Sequence, residues 1–106
     1  MLDISPPESL DAMVASGRLV LVLFAAKWCT AGKVLDAQIR SSLAARVTYK
    51  YVDVDADPYT ADYHKIVSLP TAILFSKGEQ KAKIHGAFSA TDLDREVEKS
   101  LAGKAG

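Results

Sequence analysis

Leu19-Val20-Leu21-Val22-Leu23-Phe24, followed at once by Ala25-Ala26-Lys27-Trp28-Cys29-Thr30-Ala31-Gly32-Lys33, is the stretch that decides how this chain folds. Its first six residues form a β-prone run with no polar alternate. A strand with one wet face alternates apolar and polar side chains, and a strand covered on both faces does not, so the run predicts a central strand with helices on either side. From Thr30 to Arg46 the period changes. Val34, Leu35, Ile39 and Leu43 recur at helical spacings and offer one apolar stripe to the sheet. The strand therefore leads directly into a helix, with Cys29 at the helix N-terminus.

The same reading extends in both directions. Val47 to Val54 is rich in β-branched and aromatic residues and predicts a second central strand, which closes in Asp53, Asp55 and Asp57 before Pro58. A short helix follows to about Lys65. Ser68-Leu69-Pro70-Thr71 leads into an apolar strand, Ala72 to Phe75, which Lys77-Gly78 joins as a hairpin to a strand from Gln80 to His85, ended or bent by Gly86. Ser89 with Asp92 three residues on marks the start of the last helix, Phe88 is placed to staple against Leu93, and Leu93, Val97 and Leu101 are its expected buried stripe. Upstream, Leu2 to Ile4 suits a short edge strand, and Pro6 and Pro7 suit the first turn of a helix that Gly17 stops after Ser16. The expected architecture is an α/β three-layer sandwich: one domain over residues 1–106, a mixed sheet of four to five strands, and a frayed tail from Ala102 to Gly106.

Composition narrows the function classes. A chain of 106 residues with 49% hydrophobic content can bury one core without metal or disulfide staples. Thirteen basic residues balance thirteen acidic ones, so no global field draws the protein to nucleic acid or anionic lipid. The longest apolar run, Leu19 to Ala26, is too short to span a bilayer, and Met1 to Pro7 has neither a basic segment nor an apolar one of signal-peptide length. A soluble, cytoplasmic protein with no nucleic-acid or membrane partner is expected. The single cysteine excludes an internal disulfide, and with only His64 and His85 beside it no metal centre is expected. Any covalent chemistry of Cys29 must involve a second molecule.

A cysteine at a helix N-terminus meets unpaired backbone N–H groups and the positive end of the helix dipole, which favour thiolate over thiol. The competing reading is a small buried hydrophobe, the commoner state of a free cysteine taken without its neighbours. Trp28 has a bland alternative too, since a lone tryptophan in a small domain usually belongs to the core. Lys33 either adds positive charge near the sulfur or is simply solvated. His64 and His85 read as surface or half-buried structural residues.

The neighbours of Cys29 tip this balance. Phe24 to Lys33 resembles the active-site segment of the thioredoxin family, whose usual form is Trp-Cys-Gly-Pro-Cys-Lys; Trp28, Cys29 and Lys33 match in type and spacing. Ser68-Leu69-Pro70-Thr71 resembles that family's cis-proline loop, and Lys77-Gly78-Glu79 and Gly86 follow where its hairpin and last strand would place them. The resemblance covers nearly the whole chain. It implies a thioredoxin fold, a nucleophilic Cys29 faced by a cis Pro70, an exposed Trp28, and a partner-binding surface made of Trp28, Thr30, Ala31, Gly32, Leu69 and Pro70.

The chain also departs from the pattern. The family's second, resolving cysteine is Gly32 here, and the preceding proline is Ala31. Its buried acid in the central strand is Leu23, and the buried lysine opposite is Tyr51. Without a resolving cysteine a dithiol reductase cycle has no second step. The resemblance then implies monothiol exchange with a client protein through mixed disulfides, with no bound cofactor and with an external thiol such as glutathione as co-substrate. The alternative is a redox-inactive interaction module, and a Cys29-linked dimer is a further outcome. A glutathione-bridged iron–sulfur site is not expected, because the motif lacks the Cys-Gly-Phe-Ser form of monothiol glutaredoxins.

Overall fold

The computed structural model describes residues 10–86 and 88–103. In chain order the elements are α1 (Leu10–Ala15), β1 (Val20–Ala25), α2 (Thr30–Gln38) running into one π-helical turn (Ile39–Leu43), β2 (Thr48–Asp53), α3 (Pro58–Tyr63), β3 (Thr71–Ser76), β4 (Glu79–His85) and α4 (Ala90–Gly103). The sheet order is β2-β1-β3-β4. β1 and β2 are parallel, while β1–β3 and β3–β4 are antiparallel. This is the expected mixed sheet, four-stranded among the described residues. The expected strand Leu2 to Ile4 and the helix start at Pro6 and Pro7 lie outside them.

The uninterrupted apolar run has a direct cause. Val20, Val22 and Phe24 join one core cluster with Leu10, Met13, Val52, Ile73 and Phe75. Leu21 and Leu23 join the cluster on the other face, with Leu35, Ile39, Leu43, Leu74, Leu93 and Val97. Every position of β1 is buried because consecutive side chains point to opposite faces and both faces are covered.

Several expectations are corrected. β2 is an edge strand among the described residues, not a central one: β1 is its neighbour, and Val52 is its fully buried residue while the rest are half-buried. Val34 is 51% exposed, because the stripe that meets the sheet runs through Leu35, Ile39 and Leu43 and Val34 falls one position off it. Leu101 is 47% exposed, since α4 has by then run past the cluster that Leu93 and Val97 join. The helix includes Ala102 and Gly103, and the rest of the tail expected to fray, 104–106, lies outside the described residues. The helix expected to reach Arg46 widens after Gln38. The hydroxyls of Ser41 and Ser42 donate to the Gln38 carbonyl at 3.0 and 2.8 Å, and the Ala44 N–H reaches back to the Ile39 carbonyl at 2.9 Å.

The turn chemistry follows the sequence. Lys77 and Gly78 both adopt left-handed backbone, with φ of 56° and 81°, the pairing a two-residue type I′ hairpin demands. At the start of α4 the Ser89 N–H donates to Asp92 Oδ2 at 2.9 Å and the Asp92 N–H donates to Ser89 Oγ at 3.3 Å, a reciprocal capping box. Phe88 packs against the cluster that contains Leu93.

His64 closes the far end of the first core cluster, its ring 5.8 Å from those of both Phe24 and Phe75 and edge-on to Tyr63 at 5.0 Å. Burial pushes its imidazole below the ordinary value; Asp11 draws it back in part, and Lys83 pushes it down further. The unfolded chain therefore takes up this proton first as pH falls. The contribution of His64 to stability is complete above about pH 6.5 and is lost as pH drops from there through the lower, folded-state value. Urea midpoints measured at pH 7.5 and 5.5 are expected to fall less in His64→Leu than in the wild type. An equal fall in both would show that His64 does not drive the dependence.

Candidate functional site

β1 ends at Ala25, and the chain turns within four residues into α2. The Cys29 N–H donates to the Ala26 carbonyl at 2.9 Å, and the Cys29 carbonyl accepts the first helical bond from Lys33 at 3.1 Å. Cys29 is thus the N-cap, in extended backbone with φ −89° and ψ 97°. Its Sγ accepts from the Gly32 N–H at 3.3 Å, the position in which a serine or aspartate oxygen caps an ordinary helix. The residue is 8% exposed.

Trp28 lies outside the core, 69% exposed. Its indole Nε1–H donates to Asp55 Oδ2 at 2.9 Å, across 27 residues of sequence. Asp55 is itself placed by a turn in which its N–H donates to Asp53 Oδ1 at 2.9 Å, and Asp57 caps α3 by accepting from the Thr60 N–H at 3.1 Å. Asp53, the last residue of β2, and Asp55 and Asp57 beyond it thus each have their own hydrogen-bonding task. Asp55 is a site residue that sequence reading missed: the turn was visible, but its partner was not.

The Leu69–Pro70 peptide bond is cis, as the family resemblance implies. Pro70 is buried, and the loop is tied by the Thr71 hydroxyl, which donates to the Ser68 carbonyl at 2.7 Å. Two grooves run along this loop. Trp28 and Leu69 line one of about 410 Å³ with Val54, Ile66 and Val67, and Ala31 and Pro70 line another of about 610 Å³ with Val34 and Phe88. Trp28 is thereby brought to Leu69, and Ala31 to Pro70. Thr30, Ala31 and Lys33 are exposed and Gly32 is buried. Val67, 91% exposed at the rim of the first groove, is a further residue the sequence did not single out. His64 is half-buried, His85 is exposed, and neither lines these grooves.

Behind the cysteine the environment is apolar and aromatic. Leu23 is fully buried and paired in register with Tyr51 on β2 and Ala72 on β3. Burial raises the Tyr51 phenol above its ordinary value, and negative charge on Asp53, Asp36 and Cys29 adds to the shift. Tyr49 donates to Asp36 Oδ1 at 2.6 Å, the oxygen that also accepts from Arg40 Nε at 2.9 Å.

A two-faced mixed sheet, a cysteine capping the helix after its central strand, and a cis-proline loop alongside define a thioredoxin-like fold. The chain belongs to the thioredoxin family, a family of redox proteins: the family model described as Thioredoxin matches residues 4–99. It is 38% identical over 95 residues to a thioredoxin of Mycolicibacterium smegmatis, covering 84% of each chain. It is 37% identical over 89 residues to a thioredoxin of Chlamydia pneumoniae, covering 81% of this chain and 85% of the relative. Among solved structures, a mutant thioredoxin from Halobacterium salinarum aligns with a TM-score of 0.77 at 26% identity, covering 91% of this chain and 86% of that one. A reduced Schistosoma mansoni thioredoxin aligns at 0.76 and 27%, covering 85% and 88%. Among the described residues no helix is long and apolar enough to cross a membrane.

Proposed function

We propose that this protein performs single-thiol disulfide exchange. The Cys29 thiolate attacks the disulfide of a glutathionylated or otherwise mixed-disulfide client, forms a new S–S bond to one sulfur and expels the other as thiolate. An external thiolate such as glutathione then attacks that bond, restoring the Cys29 thiolate and leaving with the bound sulfur as its own disulfide. One observation carries this reading: Cys29 Sγ caps the helix with the Gly32 N–H aimed at it at 3.3 Å, while Gly32 offers no second thiol. The cytosol, where glutathione is abundant and thiols are kept reduced, is the compartment that suits such a cycle. With one thiol per chain, oxidation can also join two copies through Cys29, and intact mass without reductant separates that dimer from a glutathione adduct.

A cycle of two half-reactions through a covalent enzyme intermediate gives ping-pong kinetics. Initial rates with a glutathionylated peptide at several glutathione concentrations are expected to give parallel double-reciprocal lines. Turnover independent of the external thiol would contradict the mechanism.

A second reading has its own support. Trp28 and Val67 are 69% and 91% exposed while the sulfur-bearing residue is 8% exposed, so the apolar rim is more accessible than the thiol. In that reading the groove beneath Trp28 holds a partner protein and the thiol is incidental. Trp28→Ala is then expected to weaken a given partner at least about tenfold, a loss of 1.4 kcal/mol, with Cys29→Ser leaving its affinity unchanged. If Cys29→Ser alone releases the partner, the single-thiol cycle is favoured instead.

A further inference from the structure

Nearly every carboxylate among the described residues has a partner. Asp36, Glu79, Asp92, Asp94, Glu96 and Glu98 are in ion pairs, and Asp53, Asp55 and Asp57 accept hydrogen bonds. Among those residues the Asp11 and Asp62 carboxylates form no ion pair and accept no hydrogen bond, and both line the same groove of about 470 Å³ between α1 and α3. Leu10, only 5% exposed, gives that groove an apolar floor. Tyr59 and Tyr63, 86% and 75% exposed, stand four residues apart on one face of α3 and form its aromatic wall. His64 also lines it, close enough to Asp11 for the carboxylate to act on its imidazole. A second groove of about 440 Å³, running toward Gly78 and Gln80 at the β3–β4 hairpin, shares Asp11, Tyr63 and His64 with the first. The two adjoin as one trough, which has no lining residue in common with the grooves beside Cys29.

The charge of this trough is unbalanced. The whole chain carries thirteen basic and thirteen acidic residues, yet no lysine or arginine lines either groove. Carboxylates beside exposed aromatic faces suit an organic cation, and a guanidinium best: its plane can lie over a tyrosine ring while its N–H groups reach a carboxylate. A metal ion is a poorer fit, because no three His, Cys, Asp or Glu side chains among the described residues are grouped to hold one. The chain ahead of α1 brings no basic side chain to the trough either, since the first in the sequence is Arg18.

We propose that the trough between α1 and α3 is a docking site for an arginine-bearing segment of a partner protein, with the guanidinium stacked on Tyr59 or Tyr63 and paired with Asp11 or Asp62. Docking there needs no reaction at Cys29.

The test titrates isotope-labelled protein with acetyl-Gly-Arg-Gly-Arg-Gly-amide and with the same peptide carrying citrulline, which keeps the shape of arginine without its charge. Backbone amide NMR shifts report the binding. The arginine peptide is expected to shift the amides of Asp11, Asp62 and Tyr63 and to bind at least about tenfold more tightly than the citrulline peptide. D11N/D62N and Y59A/Y63A change only exposed side chains, so both are expected to stay folded and each to weaken the arginine peptide at least about fivefold. Added salt is expected to weaken the arginine peptide and not the citrulline one. Equal affinity for the two peptides, shifts confined to residues outside the trough, or unchanged affinity in both variants overturns the proposal. A second copy of this chain is the competing occupant. A dimer seen by light scattering that D11N/D62N dissociates, together with no binding of the arginine peptide, assigns the trough to that copy and overturns the proposal too. Disulfide exchange without arginine-selective binding leaves the single-thiol function standing and removes the docking site; selective binding by a protein that exchanges no disulfides does the reverse.

Discussion

Leu23→Asp, which returns the family's buried acid to its place, is expected to lower folding stability by about 3–5 kcal/mol, a large part of the roughly 5–15 kcal/mol a small domain has. Leu23 is fully buried among Leu21, Leu35, Ile39 and Leu74, so its removal first leaves a cavity that the surrounding side chains fill only in part. A carboxylate in that cavity would lose its hydration with no cation to replace it, because the cross-strand positions are Tyr51 and Ala72. The new acid is therefore expected to stay protonated to well above the usual carboxylate range, which makes the loss larger at pH 8 than at pH 5. Tyr51→Lys added to Leu23→Asp supplies the missing partner and is expected to recover part of the loss. Urea denaturation of the single and double variants measures both effects. A loss below about 1 kcal/mol for Leu23→Asp would mean that the core behind Cys29 is wetter than its burial indicates.

The second large effect is chemical. Cys29→Ser is expected to reduce disulfide exchange to the uncatalysed rate while leaving the fold intact. Serine is a preferred N-cap, so its hydroxyl can keep the hydrogen bond that Sγ now accepts from Gly32, but an alcohol neither ionises near neutral pH nor forms an exchangeable bond to sulfur. Thermal melts and exchange rates on one preparation separate the two properties. A variant with an unchanged melt and undiminished exchange would remove Cys29 from the mechanism, whereas a variant that loses both would assign it to structure.

Much of the architecture could be read from the order of the residues because the deciding features are local. The unbroken run from Leu19 to Phe24 stated that β1 has two covered faces, Lys77-Gly78 carried its turn type, and Ser89 with Asp92 carried its cap. What escaped is what depends on distant neighbours. Nothing in Val47 to Val54 distinguishes an edge strand from a central one, since its tyrosines pack under helices as well as between strands. Nothing near Leu101 reveals that α4 outruns the sheet. At the site, the motif pointed to Cys29, Trp28 and Pro70 through family pattern, while the physical reasons lie in partners far along the chain. Trp28 is held by Asp55, and the glycine at position 32 faces Ala25 across the strand–helix turn. A composition or spacing rule has no access to the space around a glycine, where a Cβ at position 32 would stand 2.5 Å from that of Ala25.

The most direct test of the central claim is a single-turnover mass measurement. Reduced protein is mixed with a stoichiometric amount of glutathionylated peptide, with no free glutathione, quenched in acid and weighed intact. Exchange at Cys29 predicts that the protein gains the mass of one glutathione, that the peptide is released as free thiol, that fragmentation places the adduct on Cys29, and that added glutathione restores the original mass. Protein that keeps its original mass while the peptide keeps its glutathione would contradict the account and leave the exposed rim around Trp28 as the working surface of this domain.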